Sequence, residues 1–114
     1  MACTQTLKKN REFRRVYQQG KSLANRNLVL YYRKNQLICS RIGITVSKKV
    51  GKSVVRNRVK RRIKESLKES VNQIPPGYDL VWIARVSCKD ASYQIIKSAV
   101  THLLRKGFGY RKEE

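Results

Sequence analysis

The segment from Ser53 to about Gln73 constrains this chain more than any other. Val55, Val59, Ile63 and Leu67 recur every four residues, which on a helix places them in one apolar stripe. Ser66 and Ser70 are small and sit within that stripe. Nearly opposite lie Asn57, Arg61 and Lys68, with Lys60 and Lys64 beside them. Arg58 falls on a flank of this face, and Arg56 and Arg62 border the stripe. A helix of this kind can bury one narrow face and no more. It must lie on another layer with its cationic side bare.

Glu65 is the first acid after the basic run, spaced to meet Arg61 at i+4. Solvated helix faces usually mix signs, because like charges four apart repel. Here Lys60 opposes Lys64, and Lys64 opposes Lys68. The whole chain repeats the imbalance: 27 Lys and Arg against 7 Asp and Glu in 114 residues, a formal charge of +20. A polyanionic partner makes such a charge tolerable. No apolar run approaches the ~20 residues of a membrane span, and no signal-peptide core follows Lys8 and Lys9. Nucleic acid in the cytoplasm is the expectation.

The flanking pattern frames that helix. Asn10 is placed to cap a first helix stopped by Gly20, with Glu12 in its first turn and Phe13, Val16 and Tyr17 on one face. Ser22 to Asn27 reads as a polar loop. Leu28 to Arg33 and Arg41 to Ser47 read as strands joined by a turn at Asn35-Gln36, an antiparallel hairpin. Lys48 to Lys52 is a basic connector containing Gly51. Pro75-Pro76-Gly77 ends the long helix. Tyr78 to Val86 suits a strand buried on both faces. A last helix starts near Ser92, carries Ile95, Ile96, Ala99, Val100, Leu103 and Leu104, and closes at Gly107. The order α-β-β-α-β-α predicts an α+β domain over residues 1–114, a two-layer sandwich with a small central sheet and short flexible ends at about 1–6 and 110–114.

Catalysis by the protein itself finds little support. Asp79 and Asp90 stand apart, Glu65 and Glu69 share a helix with cations, and His102 lies beside the stripe of the last helix. No carboxylate pair for metal chemistry and no nucleophile set can be assembled. Cys3, Cys39 and Cys88 are far apart and odd in number, so reduced thiols are expected and no zinc site or disulfide framework.

Asn57 between two arginines adds a donor and an acceptor where arginine offers only donors. Arginine forks onto phosphate, and the Gly51 loop brings backbone N–H groups to the helix N-terminus. Phe13, Tyr17 and Tyr31 or Tyr32 offer rings for unpaired bases, which favours RNA over DNA. By periodicity alone, Phe13 and Tyr17 read as core. A DNA-binding regulator would need a short helix before the recognition helix, where strands stand instead.

Asn10-Arg-Glu-Phe13-Arg-Arg-Val16-Tyr17-Gln-Gln-Gly20, Ala24-Asn-Arg26, Ile42-Gly-Ile-Thr-Val-Ser-Lys-Lys-Val-Gly51 and Arg56-Asn-Arg-Val-Lys-Arg-Arg62 occur in that order. Together they resemble the bacterial ribonuclease P protein subunit across nearly the whole chain. The resemblance implies an α-β sandwich of the ribosomal protein S5 domain 2-like kind, its basic helix inside a left-handed β-α-β crossover. It implies two partners, a catalytic RNA and the 5′ leader of precursor tRNA. The RNA with its Mg²⁺ would perform the hydrolysis, with no catalytic or metal-binding protein side chain. Lys48, Lys49, Lys52, Arg56, Asn57, Arg58, Lys60, Arg61, Arg62, Lys64 and Lys68 would bind RNA. Phe13, Arg14, Tyr17 and Tyr31 would line the leader cleft, reversing the core reading of the first and third. Without the resemblance, composition leaves a structural RNA binder such as a ribosomal protein open.

Overall fold

The structure, a computed structural model, describes residues 4–109. Its elements are β1 (Thr4–Thr6), α1 (Asn10–Gln19), β2 (Lys21–Ala24), β3 (Leu28–Lys34), β4 (Ser40–Thr45), α2 (Ser53–Glu69), β5 (Tyr78–Ala84) and α3 (Tyr93–Phe108). Two short 3₁₀ turns, Val71–Gln73 and Val86–Asp90, lie on either side of β5.

The five strands form one mixed sheet in the order β1-β4-β5-β3-β2. β4 is parallel to both β1 and β5, while β3 is antiparallel to β5 and β2 to β3. The expected hairpin of β3 and β4 is therefore not formed, because β5 runs between them. The reason lies in composition. Leu80, Val81 and Trp82 are all fully buried, so β5 needs strands on both edges and cover on both faces. The less apolar β3 and β4 take the flanks. β4, α2 and β5 make up the β-α-β unit in which the resemblance implies a left-handed crossover.

Alternation along β5 divides the interior. Leu80, Trp82 and Ala84 join the large core with Leu28 and Leu30 of β3, Val59, Ile63 and Leu67 of α2, and Ile96, Val100, Leu103 and Leu104 of α3. Val81 points the other way and meets Leu7 and Val16 of the α1 side, with Phe13, Tyr31 and Ile83 packed around them. So α2 and α3 form the main helical layer, and α1 covers part of the opposite face.

Several boundaries differ from expectation. β2 occupies part of the segment read as a polar loop. Its outward residues are polar and it lies at a sheet edge, so no apolar run marks it. Thr4–Thr6, read as a flexible end, pairs with Ser40–Ile42 as β1, and all three residues are exposed. The rest of the expected flexible ends, 1–3 and 110–114, lies outside the described residues. Lys9 rather than Asn10 is the N-cap of α1, and Lys52 rather than Ser53 that of α2. Ser92 caps α3 as expected, accepting from the N–H of Ile95. Gly107 does not close α3, which runs on to Phe108 and ends at Gly109 with φ of 77°. Gly107 instead lets Leu23 of β2 approach, since a Cβ there would stand 2.9 Å from Leu23 Cδ1. Ile95 is exposed, outside the apolar stripe.

Cys88 is a buried free thiol, its pKa pushed up by burial. Cys39 is disulfide-bonded, which corrects the expectation of a reduced thiol. Cys3 lies outside the described residues.

Asn25, in the Ala24-Asn-Arg26 motif, fixes the β2–β3 turn. Its Oδ1 accepts the N–H groups of Asn27 and Leu28 at 3.1 and 2.9 Å. Its Nδ2 donates to the carbonyl of Ala99 at 3.1 Å and lies 3.1 Å from His102 Nδ1. His102 thus has a structural partner. Asn25→Ala would leave two backbone N–H groups and a helix carbonyl without it, and should destabilise the fold by about 1–3 kcal/mol. Urea unfolding would measure this, and an unchanged midpoint would remove Asn25 as the turn's anchor.

Candidate nucleic-acid interface

α2 presents the cationic face as the wheel predicts. Asn57, Lys60, Arg61, Lys64 and Lys68 are exposed, while Val59, Ile63, Ser66 and Leu67 are buried. Val55 is only half-buried, against the large core. Glu65 lies 3.9 Å from Lys68 rather than pairing with Arg61. Both are well exposed, so this weak contact leaves the face strongly positive. Lys48, Lys49 and Lys52 in the connector are exposed beside it.

The three remaining arginines are half-buried and held by the protein. Arg56 Nε donates to the carbonyl of Gly51 at 3.1 Å and its Nη2 reaches Ser53 Oγ at 3.2 Å. Arg58 Nη2 donates to the carbonyl of Lys89 at 3.3 Å. Arg62 Nη1 donates to the carbonyl of Ala91 at 2.7 Å. Each guanidinium has five N–H donors, so donors remain for a ligand. The carbonyl partners on the Val86–Asp90 turn and at Ala91 come from a segment whose nearness to α2 no spacing rule reveals.

The second surface is the face of the sheet that α1 covers only in part. Of the three residues on one side of α1, Val16 is fully buried, Phe13 half-buried and Tyr17 exposed at 38%. Tyr17 meets Tyr31 of β3 edge to face, with ring centroids 5.1 Å apart. Tyr32 points to the other face and packs on Tyr78 and Phe108, so Tyr31 is the one of the two that stands beside Tyr17. Asn10, Phe13, Arg14, Tyr17 and Thr45 line an open pocket here. Phe13 rests on Gly43 of β4: a Cβ at Gly43 would stand 2.5 Å from the ring carbons Cε2 and Cζ.

A buried ion pair fixes α1 over this face. Asp79 of β5 is 1% exposed. Arg41 of the neighbouring β4 forks onto it, with Nε to Oδ1 at 2.8 Å and Nη2 to Oδ2 at 2.7 Å. Asn35 Nδ2 adds a third bond at 2.9 Å. The remaining Arg41 nitrogen, Nη1, reaches Glu12 Oε2 of α1 at 2.7 Å. Glu12 Oε1 accepts the N–H groups of Lys9 and Lys8 at the helix start. These N–H donors, Lys9 before Lys8, lower the pKa of Glu12, and Arg41 adds to the effect. Sequence reading treated Asp79 as isolated. The sheet register that sets Arg41 opposite Asp79 is a long-range pairing with no local signal. Among the described residues no group of three His, Cys, Asp or Glu side chains comes together as a metal site, and no helix is long and apolar enough to cross a membrane.

Two measurements probe this geometry. Gly43→Ala should displace the Phe13 ring and cost about 1–3 kcal/mol, as overpacking does; full stability in thermal unfolding would mean the ring moves freely. Glu12 has a folded pKa below its unfolded value, so its contribution is present above about pH 4.5 and is lost as pH falls through the folded pKa. The stability gap between the wild type and Glu12→Gln should hold steady from neutral pH and close in acid. A gap that stays constant in acid would exclude this linkage.

Comparison with known proteins agrees with this arrangement. The family model for Ribonuclease P matches residues 1–107. The ribonuclease P protein component of Alkaliphilus metalliredigens is 52% identical over 106 residues, covering 93% of this chain and 96% of the relative. That of Clostridioides difficile is 51% identical over 104 residues, covering 90% and 91%. The Staphylococcus aureus RNase P protein structure superposes with a TM-score of 0.85 at 37% identity, covering 93% of this chain and 97% of that one. The Thermotoga maritima RNase P protein gives 0.82 at 32% identity, covering 90% and 96%. A basic helix standing free of its core, a part-covered aromatic sheet face and this breadth of similarity agree: the chain belongs to the ribonuclease P protein family.

Proposed function

We propose that the two surfaces divide the work of a ribonuclease P subunit. As a member of this family the chain is the protein component of the ribonucleoprotein that removes the 5′ leader from precursor tRNA. Its partners are the ribonuclease P RNA and the precursor. In our reading the basic helix and connector (Lys48, Lys49, Lys52, Arg56 to Arg58, Lys60 to Arg62, Lys64 and Lys68) grip the catalytic RNA. Phe13, Arg14, Tyr17 and Tyr31 hold the single-stranded leader by stacking and phosphate contact. The whole chain acts as one domain, and its work is cytoplasmic.

The observation that carries this reading is the separation of the two surfaces by chemistry. One is a comb of exposed cations with no ring among them. The other is a set of part-exposed rings set against one arginine. The first suits a duplex or folded RNA backbone, and the second suits unpaired bases. The chemical step belongs to the RNA and its Mg²⁺. Three of the protein's carboxylates have other engagements: Asp79 is held by Arg41 and Asn35, Glu12 by Arg41, and Glu69 by Lys97 at 2.6 Å. A structural role in a ribosome-like particle is open on composition alone and on a ribosomal protein S5 domain 2-like fold; the family match favours the ribonuclease P reading.

The test is reconstitution. Added to a bacterial ribonuclease P RNA at low Mg²⁺, the protein should stimulate 5′ cleavage of a precursor tRNA. Leader-dependent affinity should fall steeply with salt, with a log–log slope of about −0.7 per phosphate neutralised on a single strand. Arg61→Ala should weaken assembly with the RNA while leaving the fold intact. No stimulation across several such RNAs, or a flat salt response, would defeat the assignment.

A further inference from the structure

The β4 edge carries a second groove, set between the two surfaces above and lined in part by Phe13 of one and by Lys60, Lys64 and Lys68 of the other. β1 pairs with β4 only from Ser40 to Ile42. The chain then leaves the sheet, with one last bond from the N–H of Leu7 to the carbonyl of Ile42 at 2.9 Å. The N–H groups of Lys8 and Lys9 turn away to Glu12. In a parallel ladder alternate residues address alternate neighbours. Ile42 faces β1, so Gly43 faces β5 and Ile44 faces the side where β1 has ended. The backbone N–H and C=O of Ile44 have no strand partner there among the described residues.

This bare edge lies in a groove of about 550 Å³, within the ~300–1,000 Å³ range of small-ligand sites. Leu7 and Phe13 line one side, and Lys60, Lys64 and Lys68 of α2 the other. Phe13 also lines the pocket with Tyr17 and Arg14. The two cavities therefore share a wall. A donor and an acceptor side by side match the edge of a nucleobase, the ring and the aliphatic floor suit its faces, and the lysines suit the flanking phosphates.

We propose that the groove is a further single-stranded RNA subsite, and that its occupant is the precursor leader. The leader runs from the aromatic cleft across Phe13 and along the open β4 edge, between that edge and the lysines of α2. An unpaired base there is read by the main chain of Ile44, with its phosphates on Lys60 and Lys64, the two lysines of the basic helix that also line the groove and so serve the leader as well as the catalytic RNA. Continuity through Phe13 selects the leader over other RNA, and the lysine wall excludes an acceptor-poor or cationic partner. This rests on the assignment of the aromatic cleft to the leader.

The experiment uses the holoenzyme assembled with the catalytic RNA, and precursors with leaders of graded length. A photocrosslinker on Tyr17→Cys marks the leader nucleotides in the cleft. The same probe on Lys64→Cys should reach different leader nucleotides adjoining the first set. In the wild type, affinity should keep rising by roughly tenfold, the scale of one added base contact, as leaders extend beyond the cleft set. In Lys60→Ala/Lys64→Ala the long-to-short affinity ratio should fall close to one, whatever that variant does to overall affinity. Tyr17 crosslinks on the leader with Lys64 crosslinks only on the catalytic RNA, or an unchanged ratio, would overturn the subsite alone. Tyr17 crosslinks that miss the leader would sink the cleft assignment and the subsite together.

Discussion

The fork of Arg41 onto Asp79 is the contact on which the arrangement of this protein turns. A carboxylate as buried as Asp79 is tolerated only with its oxygens fully engaged. Arg41 and Asn35 engage them, and the fork uses two of the guanidinium's three nitrogens. The third extends to Glu12 on α1. One arginine therefore joins β4, β5 and the first helix. In a chain with so few acids, two of them serve this junction. Position follows from it: α1 is fixed at its N-terminal end, Phe13 comes down on Gly43, and Tyr17 swings out to meet Tyr31. The aromatic face exists because a helix is held over part of the sheet and no further.

Much of the helical layer was legible because helix burial follows a local period. Val59, Ile63 and Leu67 of α2, and Ile96, Val100, Leu103 and Leu104 of α3, declare their faces by spacing alone, and the exposed cations fall where the wheel puts them. β5 was legible because an unbroken apolar run in a strand forces burial on both faces. Strand pairing was not. Which strands become neighbours depends on contacts between residues far apart in sequence, so the apolar run of β5 calls for a central place in the sheet but does not name β3 and β4 as its neighbours. The polar edge strands β1 and β2 were missed for a related reason. An edge strand owes its conformation to its partner's backbone, and its own side chains can be anything soluble.

The candidate site divides in the same way. Positions on α2 could be read one by one. The placing of Phe13 and Tyr17 could not, since periodicity reports only that Phe13, Val16 and Tyr17 share a side. It does not report that α1 covers too little of the sheet to bury all three. Resemblance to the family assigned both rings to a cleft; in the structure Tyr17 is exposed and Phe13 half-buried. The disulfide at Cys39 escaped the sequence reading as well, because cysteine spacing along the chain does not report which residues the fold brings together.

The carbonyl partners of Arg58 and Arg62 have a consequence for how this surface meets a polyanion. A long side chain waving in water must surrender rotamer freedom when it seizes a phosphate, at roughly 0.5–1.5 kcal/mol for each side chain immobilised. Arg58 and Arg62 have given up much of that freedom already, leaning on the Lys89 carbonyl and on Ala91. Lys60, Arg61 and Lys64 have not. The basic helix is thus two kinds of surface in one: arginines already leaning on neighbouring carbonyls, and cations that keep their rotamer freedom.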